Sequence, residues 1–289
     1  MTVAMILSAG LGTRLRPLTD EVPKPLVPVG DKPAVRHIQD HLIRAGVDRQ
    51  ILNTHHRADA FDHAALLPGT VIVHEPAILG TAGGVANAQA WFDGRAVLVW
   101  NGDILADLDV GALLARFAAD PSLDAVWIVA PRPLGEGTVG LDADGFVCRV
   151  RSFRSAEERS SADFLGVSLL SPTLVAALPA EGCLVGDVIG PGLTAGLRVA
   201  TVPHEGPWDD LGSPAAYLAA NQRWLRERGE VLYLGPGAIA PLGTTGIVGA
   251  GACVSGIAAR EVVCWPNAVA HDVAPRTIVT TLGVRVTVA

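Results

Sequence analysis

The sequence predicts an α/β fold, with helices packed on a mainly parallel sheet, followed by a small domain of short repeating β segments. Two observations predict the first part. Short β-branched runs alternate with amphipathic stretches through the first half of the chain, and a glycine loop directly follows the first of those runs. A change of composition after Glu230, where Gly, Ala and Val recur in short units, predicts the second. At 289 residues, 49% apolar and 18% charged, the chain is long enough for one large domain plus a smaller one with a well-buried core.

Taken in order, Val3–Leu7, Gln50–Asn53, Val71–His74, Val97–Trp100 and Ala125–Val129 read as strands. Between them, Pro33–Ala45 opens on proline and carries apolar residues at Val35, Ile38, Leu42 and Ile43; Val110–Ala118 has a similar face, and both read as helices. Ligands of open α/β sheets lie beyond the carboxyl ends of the strands, where the loop after Leu7 falls. In the tail, Val248, Val254, Ile257, Val263, Trp265 and Val269 recur in a loose six-residue pattern. It resembles the hexapeptide coils of a left-handed parallel β-helix. So few coils leave apolar ends, which predicts that the tail packs on the rest of the chain or on another subunit.

The net charge of −7 argues against a nucleic-acid partner, since a phosphate backbone needs a broad basic face. Local positive charge at Arg14, Arg16 and Lys24 suits a small polyanion instead. Met1–Leu7 is too short and uncharged for a signal peptide, and no apolar run reaches membrane-span length, which predicts a cytoplasmic protein with no membrane partner. Cys148, Cys183, Cys253 and Cys264 are widely spaced with no C-x-x-C pair, so they read as free thiols.

Residues 9–28, Ala-Gly-Leu-Gly-Thr-Arg-Leu-Arg-Pro-Leu-Thr-Asp-Glu-Val-Pro-Lys-Pro-Leu-Val-Pro, carry the strongest chemistry. Gly10 and Gly12 let the backbone turn tightly and present N–H groups to phosphate oxygens. Arg14 offers a planar fork for the same oxygens, and Lys24 a point charge held between Pro23 and Pro25. No Walker A loop occurs, and Leu15 stands where a dinucleotide fingerprint would have its third glycine. The stretch resembles the signature of the sugar-1-phosphate nucleotidyltransferases, G-x-G-T-R-L-x-P-L-T followed by P-K-P. That resemblance implies a Rossmann-like three-layer nucleotidyltransferase domain over residues 1–228, ahead of a short hexapeptide-repeat left-handed β-helix over 229–289.

Further segments extend the resemblance. Val97-Leu-Val-Trp-Asn-Gly-Asp103 sets a carboxylate at the end of an apolar strand, where Asp103 is a candidate metal ligand or a turn aspartate. Trp208-Asp-Asp-Leu-Gly-Ser-Pro-Ala-Ala-Tyr resembles the family's W-x-D-[IV]-G-T-P-x-x-Y segment and aligns Asp210 with its metal aspartate, Asp209 being the neighbouring alternative. Two carboxylates over a triphosphate suit Mg2+. Glu75-Pro-Ala-Ile-Leu-Gly-Thr-Ala-Gly-Gly84 resembles the base- and ribose-binding loop, its glycines admitting the nucleoside and Ala82 opening a helix. Glu75, as an ionised carboxylate, only accepts hydrogen bonds and so matches the two adjacent donors of guanine better than the single donor of uracil, which favours GTP over UTP; a solvated surface glutamate is the other reading. The resemblance thus implies nucleotide contacts from Ser8, Gly10, Gly12, Thr13, Glu75, Gly80, Thr81 and Gly83. Asp163-Phe-Leu-Gly166 resembles the sugar-binding F-x-x-G strand, with Gly166 making room for a hexose. Arg154 stands where the family often has the lysine of E-K-P. His55 and His56 read as capping or packing residues.

The implied reaction joins a nucleoside triphosphate to a sugar 1-phosphate, mannose 1-phosphate by closest resemblance, in an oligomer built through the tail. Rivals are a uridylyltransferase acting on an N-acetylhexosamine or muramic 1-phosphate and a non-catalytic nucleotide-sugar-sensing subunit. Retention of Arg14, Lys24, Asp103 and Asp210 argues against the sensor. An acyltransferase built on the tail is disfavoured by the few coils that sixty residues allow.

Overall fold

Residues 3–7, apolar on both faces, form an interior strand (β1, Val3–Leu7) in the computed structural model, which describes residues 2–47, 49–62 and 66–288. The chain divides into two units that interleave in sequence. One comprises Met1–Gly10, Ile38–Ala58 and Leu66–Trp208, the other Leu11–His37, Asp59–Ala65 and Asp209–Ala289.

In the first unit β1 lies between β2 (Arg49–Thr54) and β4 (Val97–Asn101), parallel to both, and β2 pairs in parallel with β3 (Val71–His74). The apolar runs of β1 and of Val97–Trp100 in β4 suit strands covered on both faces. β3 alternates half-buried and exposed residues, as an edge strand does. The sheet is mixed beyond β4. A long strand, Ser160–Leu170, runs antiparallel to β4 and to the strands Ala125–Arg132 and Val139–Leu141, so only part of the sheet is parallel. Trp100 and Trp127 are fully buried within the unit, the latter stacked on Phe164 at 4.1 Å between ring centroids. The helix Val110–Ala118 starts at a genuine cap, Asp109 Oδ1 accepting the Ala112 N–H at 2.8 Å.

The second unit centres on a helix, Pro214–Arg226. Ser213 caps it, proline fills its first position, and arginines complement its last turn. Its buried face, Tyr217, Leu218, Asn221, Trp224 and Leu225, follows the helical period. Asn221 Oδ1 accepts the Gly30 N–H at 2.9 Å, Tyr217 donates to the Pro28 carbonyl, and Trp265 Nε1 donates to the Tyr217 hydroxyl at 3.0 Å. Gly30 is required there, because its φ is +62° and a Cβ would sit 2.1 Å from the Trp224 ring.

The tail pairs Leu232–Leu234, Gly246–Val248, Val262–Cys264 and Thr277–Val279 as a parallel ladder, closed by the antiparallel strand Arg285–Thr287. A second parallel pair joins Cys253–Ser255 to Val269–His271. Leu232 faces Gly246, Gly246 faces Val262, and Val263 faces Ile278, so the advance per layer is not a multiple of six and the six-residue pattern is only local. Of the six apolar residues that recur there, Val248, Val254, Val263 and Trp265 are buried, whereas Ile257 and Val269 are 68% and 73% exposed. The tail packs on its own chain within this unit: Trp265 reaches Tyr217, and Glu21 accepts hydrogen bonds from the Thr280 hydroxyl and the Leu282 N–H. Among the described residues no helix is long and apolar enough to cross a membrane.

Candidate active site

In the first unit the parallel strands end side by side. Leu7 lies in register with Asn53 and with Asn101, and Thr54 with His74, so Ser8, Asp103, His55 and Glu75 all leave the sheet at its carboxyl edge. The Asn-Gly-Asp turn is tied to that edge because the Gly102 N–H donates to the Leu7 carbonyl at 2.9 Å. Gly10 is exposed, and a Cβ there would meet nothing within 4 Å, so its backbone is open to a ligand. Ser8 is not: it is buried, and its N–H is taken by Asn53 Oδ1 at 2.7 Å.

Glu75 is neither a solvated surface group nor an open acceptor. It is 1% exposed, Oε1 accepts Asn53 Nδ2 at 2.6 Å, and Oε2 accepts the Leu79 N–H at 3.2 Å. The guanine preference inferred from its free lone pairs therefore loses its basis. The glycines after it are also explained from within the chain. Gly80 has φ +75°, and its absent Cβ faces the Gly182 carbonyl at 2.4 Å; that of Gly83 faces the Ala180 carbonyl at 2.4 Å. Thr81 Oγ1 accepts the Leu184 N–H at 2.7 Å, and the helix begins at Gly80 rather than Ala82, whose N–H is met by the Gly182 carbonyl. Room for a nucleoside was the reason inferred for these residues, but their bare faces seat the 180–184 loop. At Gly166, φ is +68° and a Cβ would sit 2.5 Å from Asn101 Nδ2, so the side chain of Asn101 fills the space assigned to a hexose.

Arg154 lies on the short strand Phe153–Arg154, half-exposed and 3.5 Å from Glu158. Glu158 is already gripped by both arms of Arg149, at 2.7 and 2.9 Å, and by the Ser161 hydroxyl at 2.6 Å, so its charge is balanced without Arg154. These bonds hold the Glu158 carboxyl down at about 2, with Arg149 the largest cause. His55 donates from Nδ1 to the Glu75 carbonyl at 2.8 Å, a packing role as expected.

The second unit brings together the charges that the sequence marks as candidates for phosphate. Gly12 adopts φ +62°, its carbonyl accepts the Thr19 hydroxyl at 2.9 Å, and a Cβ there would lie 2.8 Å from Thr19 Cγ2. A helical turn, Thr13–Leu15, follows; buried Leu15 anchors it while Thr13 and Arg14 stay exposed. Pro23 and Pro25 flank Lys24 at the start of a second such turn, closed by the Leu26 N–H on the Pro23 carbonyl at 2.8 Å. The Lys24 side chain is 11% exposed and its ammonium sits 3.5 Å from Asp210 Oδ1, with the Arg14 guanidinium 4.0 Å from Asp210 Oδ2. Gly212 permits this, since a Cβ would lie 3.1 Å from Asp210 and 3.3 Å from Arg14. Asp210 Oδ1 is shielded from solvent and accepts no hydrogen bond among the described residues. A hard carboxylate oxygen that accepts no hydrogen bond is what Mg2+ takes from a protein, so this donor fits that ion even with the Lys24 ammonium 3.5 Å away. Asp209 does not: it is paired with Arg223 at 2.5 Å, and burial pushes its carboxyl upward.

Sequence reasoning missed Asn53, Thr19 and Gly212. An amide closing the short apolar run Ile51-Leu52 was the signal available for the first.

Residues 3–154 match the nucleotidyl transferase family model. The chain is 36% identical over 237 residues to an N-acetylmuramate α-1-phosphate uridylyltransferase of Caulobacter vibrioides, covering 76% of this chain and 96% of that protein. It is 36% identical over 140 residues to a mannose-1-phosphate guanylyltransferase of Mycobacterium tuberculosis, covering 46% of this chain and 39% of that one. In fold it is similar to HddC from Yersinia pseudotuberculosis complexed with GMP-PN, with a TM-score of 0.64 at 22% identity, over 78% of this chain and all of that one. A family match over more than half the chain and a 36% identical relative covered over nearly its whole length lead to one conclusion: the chain belongs to the nucleotidyltransferases that act on sugar 1-phosphates.

Proposed function

We propose that this chain transfers a uridylyl group from UTP to an N-acetylmuramic-type sugar 1-phosphate. The match along nearly the whole Caulobacter uridylyltransferase carries the choice of base and sugar, once Glu75 no longer speaks for guanine. A sugar-phosphate oxygen attacks the α-phosphorus in line; the bond to the β-phosphate breaks and pyrophosphate leaves. Positioning and charge stabilisation then suffice for catalysis. Arg14 holds the β- and γ-phosphates and the departing pyrophosphate, and Lys24 bridges the α-phosphate and the sugar phosphate. The Gly10 and Gly12 backbone turns around the triphosphate, and Arg154 supplies charge for the sugar phosphate. Asp103 and Asp210 would hold Mg2+, which neutralises developing phosphate charge when bound.

Pyrophosphate release over four nucleoside triphosphates, paired with N-acetylmuramate, N-acetylglucosamine and mannose 1-phosphates, tests the reading. UTP is expected to lead; a GTP lead with mannose 1-phosphate would favour the guanylyl form, for which the Mycobacterium match speaks.

The tail, read as a short left-handed β-helix over residues 229–289, joins copies of the chain. Its parallel ladders support the helix, and exposed Val231, Ile239, Leu242, Ile257, Val269 and Leu282 support the association. Light scattering at micromolar concentration should give a dimer or larger, and a strict monomer would rule this out.

A further inference from the structure

Every polar atom of Glu75 is engaged inside the first unit. Its N–H donates to the Thr54 carbonyl at 2.7 Å, its carbonyl accepts His55 Nδ1 at 2.8 Å, and its two carboxylate oxygens accept Asn53 Nδ2 and the Leu79 N–H. Asn53 in turn uses its other end, Oδ1, on the Ser8 N–H. Ser8, Asn53 and Glu75 are 3%, 2% and 1% exposed, so water cannot replace the bonds that join these three residues. The orientation of the Asn53 amide is dictated by its neighbours, because Ser8 offers only a donor and the carboxylate only acceptors. The helix Gly80–Asn87 is pressed flush on the pair: a Cβ on Gly84 would lie 2.8 Å from both Asn53 Nδ2 and Glu75 Oε1.

We propose that Asn53 and Glu75 are positioning residues for nucleotidyl transfer, a buried two-residue strut that sets the spacing between the Ser8–Gly10 turn and the loop entering the helix at Gly80. Neither side chain touches substrate. Asn53 acts through the Ser8 backbone at the end of β1, and Glu75 through the Leu79 backbone before the helix. The strut holds the two segments that the resemblance assigns to the nucleotide, so a break should blur nucleotide placement more than sugar placement. Misplacement of about 1 Å can cost on the order of 10²-fold in rate. The consequence for catalysis rests on the reaction under Proposed function, but not on the identity of the base.

A charge swap tests the strut. In Glu75→Gln the amide oxygen can accept only one of the two N–H groups, and its NH2 then faces the other donor. In Asn53→Asp a second carboxylate is brought against Glu75. The double variant N53D/E75Q restores every partner: the new carboxylate accepts the Ser8 N–H and the glutamine NH2, and the glutamine oxygen accepts the Leu79 N–H. Steady-state kinetics are run with whichever nucleoside triphosphate the unaltered chain turns over. A wrong base therefore shows in the wild-type panel, and a wrong strut only in the variants.

Each single variant should raise KM for the nucleotide roughly tenfold, the effect of one buried polar group left without a partner, while KM for the sugar 1-phosphate stays within about twofold. The double variant should return the nucleotide KM to within about threefold of wild type. If a single variant does not fold, the folded and active double variant alone carries the result. A double variant no better than its worse parent would overturn the strut, as would unchanged nucleotide KM in both singles. A Glu75→Gln variant that only switches base preference, unrelieved by Asn53→Asp, would make Glu75 a base reader instead.

Discussion

Tyr217→Phe removes one oxygen from a buried chain of hydrogen bonds and leaves the ring packing intact. In the folded protein the hydroxyl donates to the Pro28 carbonyl and accepts Trp265 Nε1 at 3.0 Å; Tyr217 is fully buried and Trp265 is 2% exposed. Without it the indole N–H has no partner, at a cost of about 1–3 kcal/mol, and the Pro28 carbonyl loses a donor worth roughly 1 kcal/mol. The net expectation is a loss of about 2–4 kcal/mol, or a melting temperature lower by roughly 4–16 °C for a chain of this size. Burial pushes the Tyr217 hydroxyl well above its ordinary range, so it stays protonated, and the loss should not vary with assay pH below that range. Thermal unfolding of Tyr217→Phe, Trp265→Phe and the double variant closes a mutant cycle, with an expected coupling of about 1 kcal/mol or more. The helix that Tyr217 anchors begins at Pro214, four residues after Asp210, so Mg2+ dependence of the surviving activity should be followed as well. A melting shift under about 1 °C, or strictly additive single effects, would refute this account of how the tail is secured.

Lys24→Ala and Arg14→Ala should each lower kcat/KM by on the order of 10²-fold or more, measured by pyrophosphate release, because each removes charge aimed at the developing phosphate negative charge. Asp103→Asn and Asp210→Asn should need much higher Mg2+ for half-maximal rate. Asp209→Asn should leave that requirement unchanged and instead lower stability, since it frees the Arg223 guanidinium now held at 2.5 Å. Glu158 is held down at about 2 from an ordinary 4.5, so the native state binds fewer protons there than the unfolded chain; its stabilisation is complete above 4.5 and is lost as pH falls toward 2. Urea midpoints of wild type and Glu158→Gln across that window should converge toward low pH, and parallel curves would count against the ion pair.

Local chemistry made much of this protein readable in its sequence. Val3–Leu7 and the four other expected strands are there because β-branched runs flanked by turn residues need little outside help, and Val110–Ala118 because its cap and apolar stripe are local. Arg14 and Lys24 were named from their motif and Asp210 from a family resemblance, and the second unit brings both cations within 4.0 Å of the Asp210 carboxylate. What spacing could not reveal was which groups would be satisfied by the protein itself. Glu75 offers lone pairs on paper, but a partner twenty-two residues upstream, Asn53, consumes one oxygen and so decides its role. The glycines at 80, 83 and 166 advertise space that a carbonyl or an amide from another segment fills. Asp209 and Asp210 are equivalent neighbours in the sequence until Arg223, a helix later, neutralises one of them and leaves the other facing Lys24. The tail's layer spacing likewise emerges only when its strands pair. A one-dimensional chain carries propensity and spacing, whereas burial and the matching of donors to acceptors are properties of contacts, which arise only in the folded molecule.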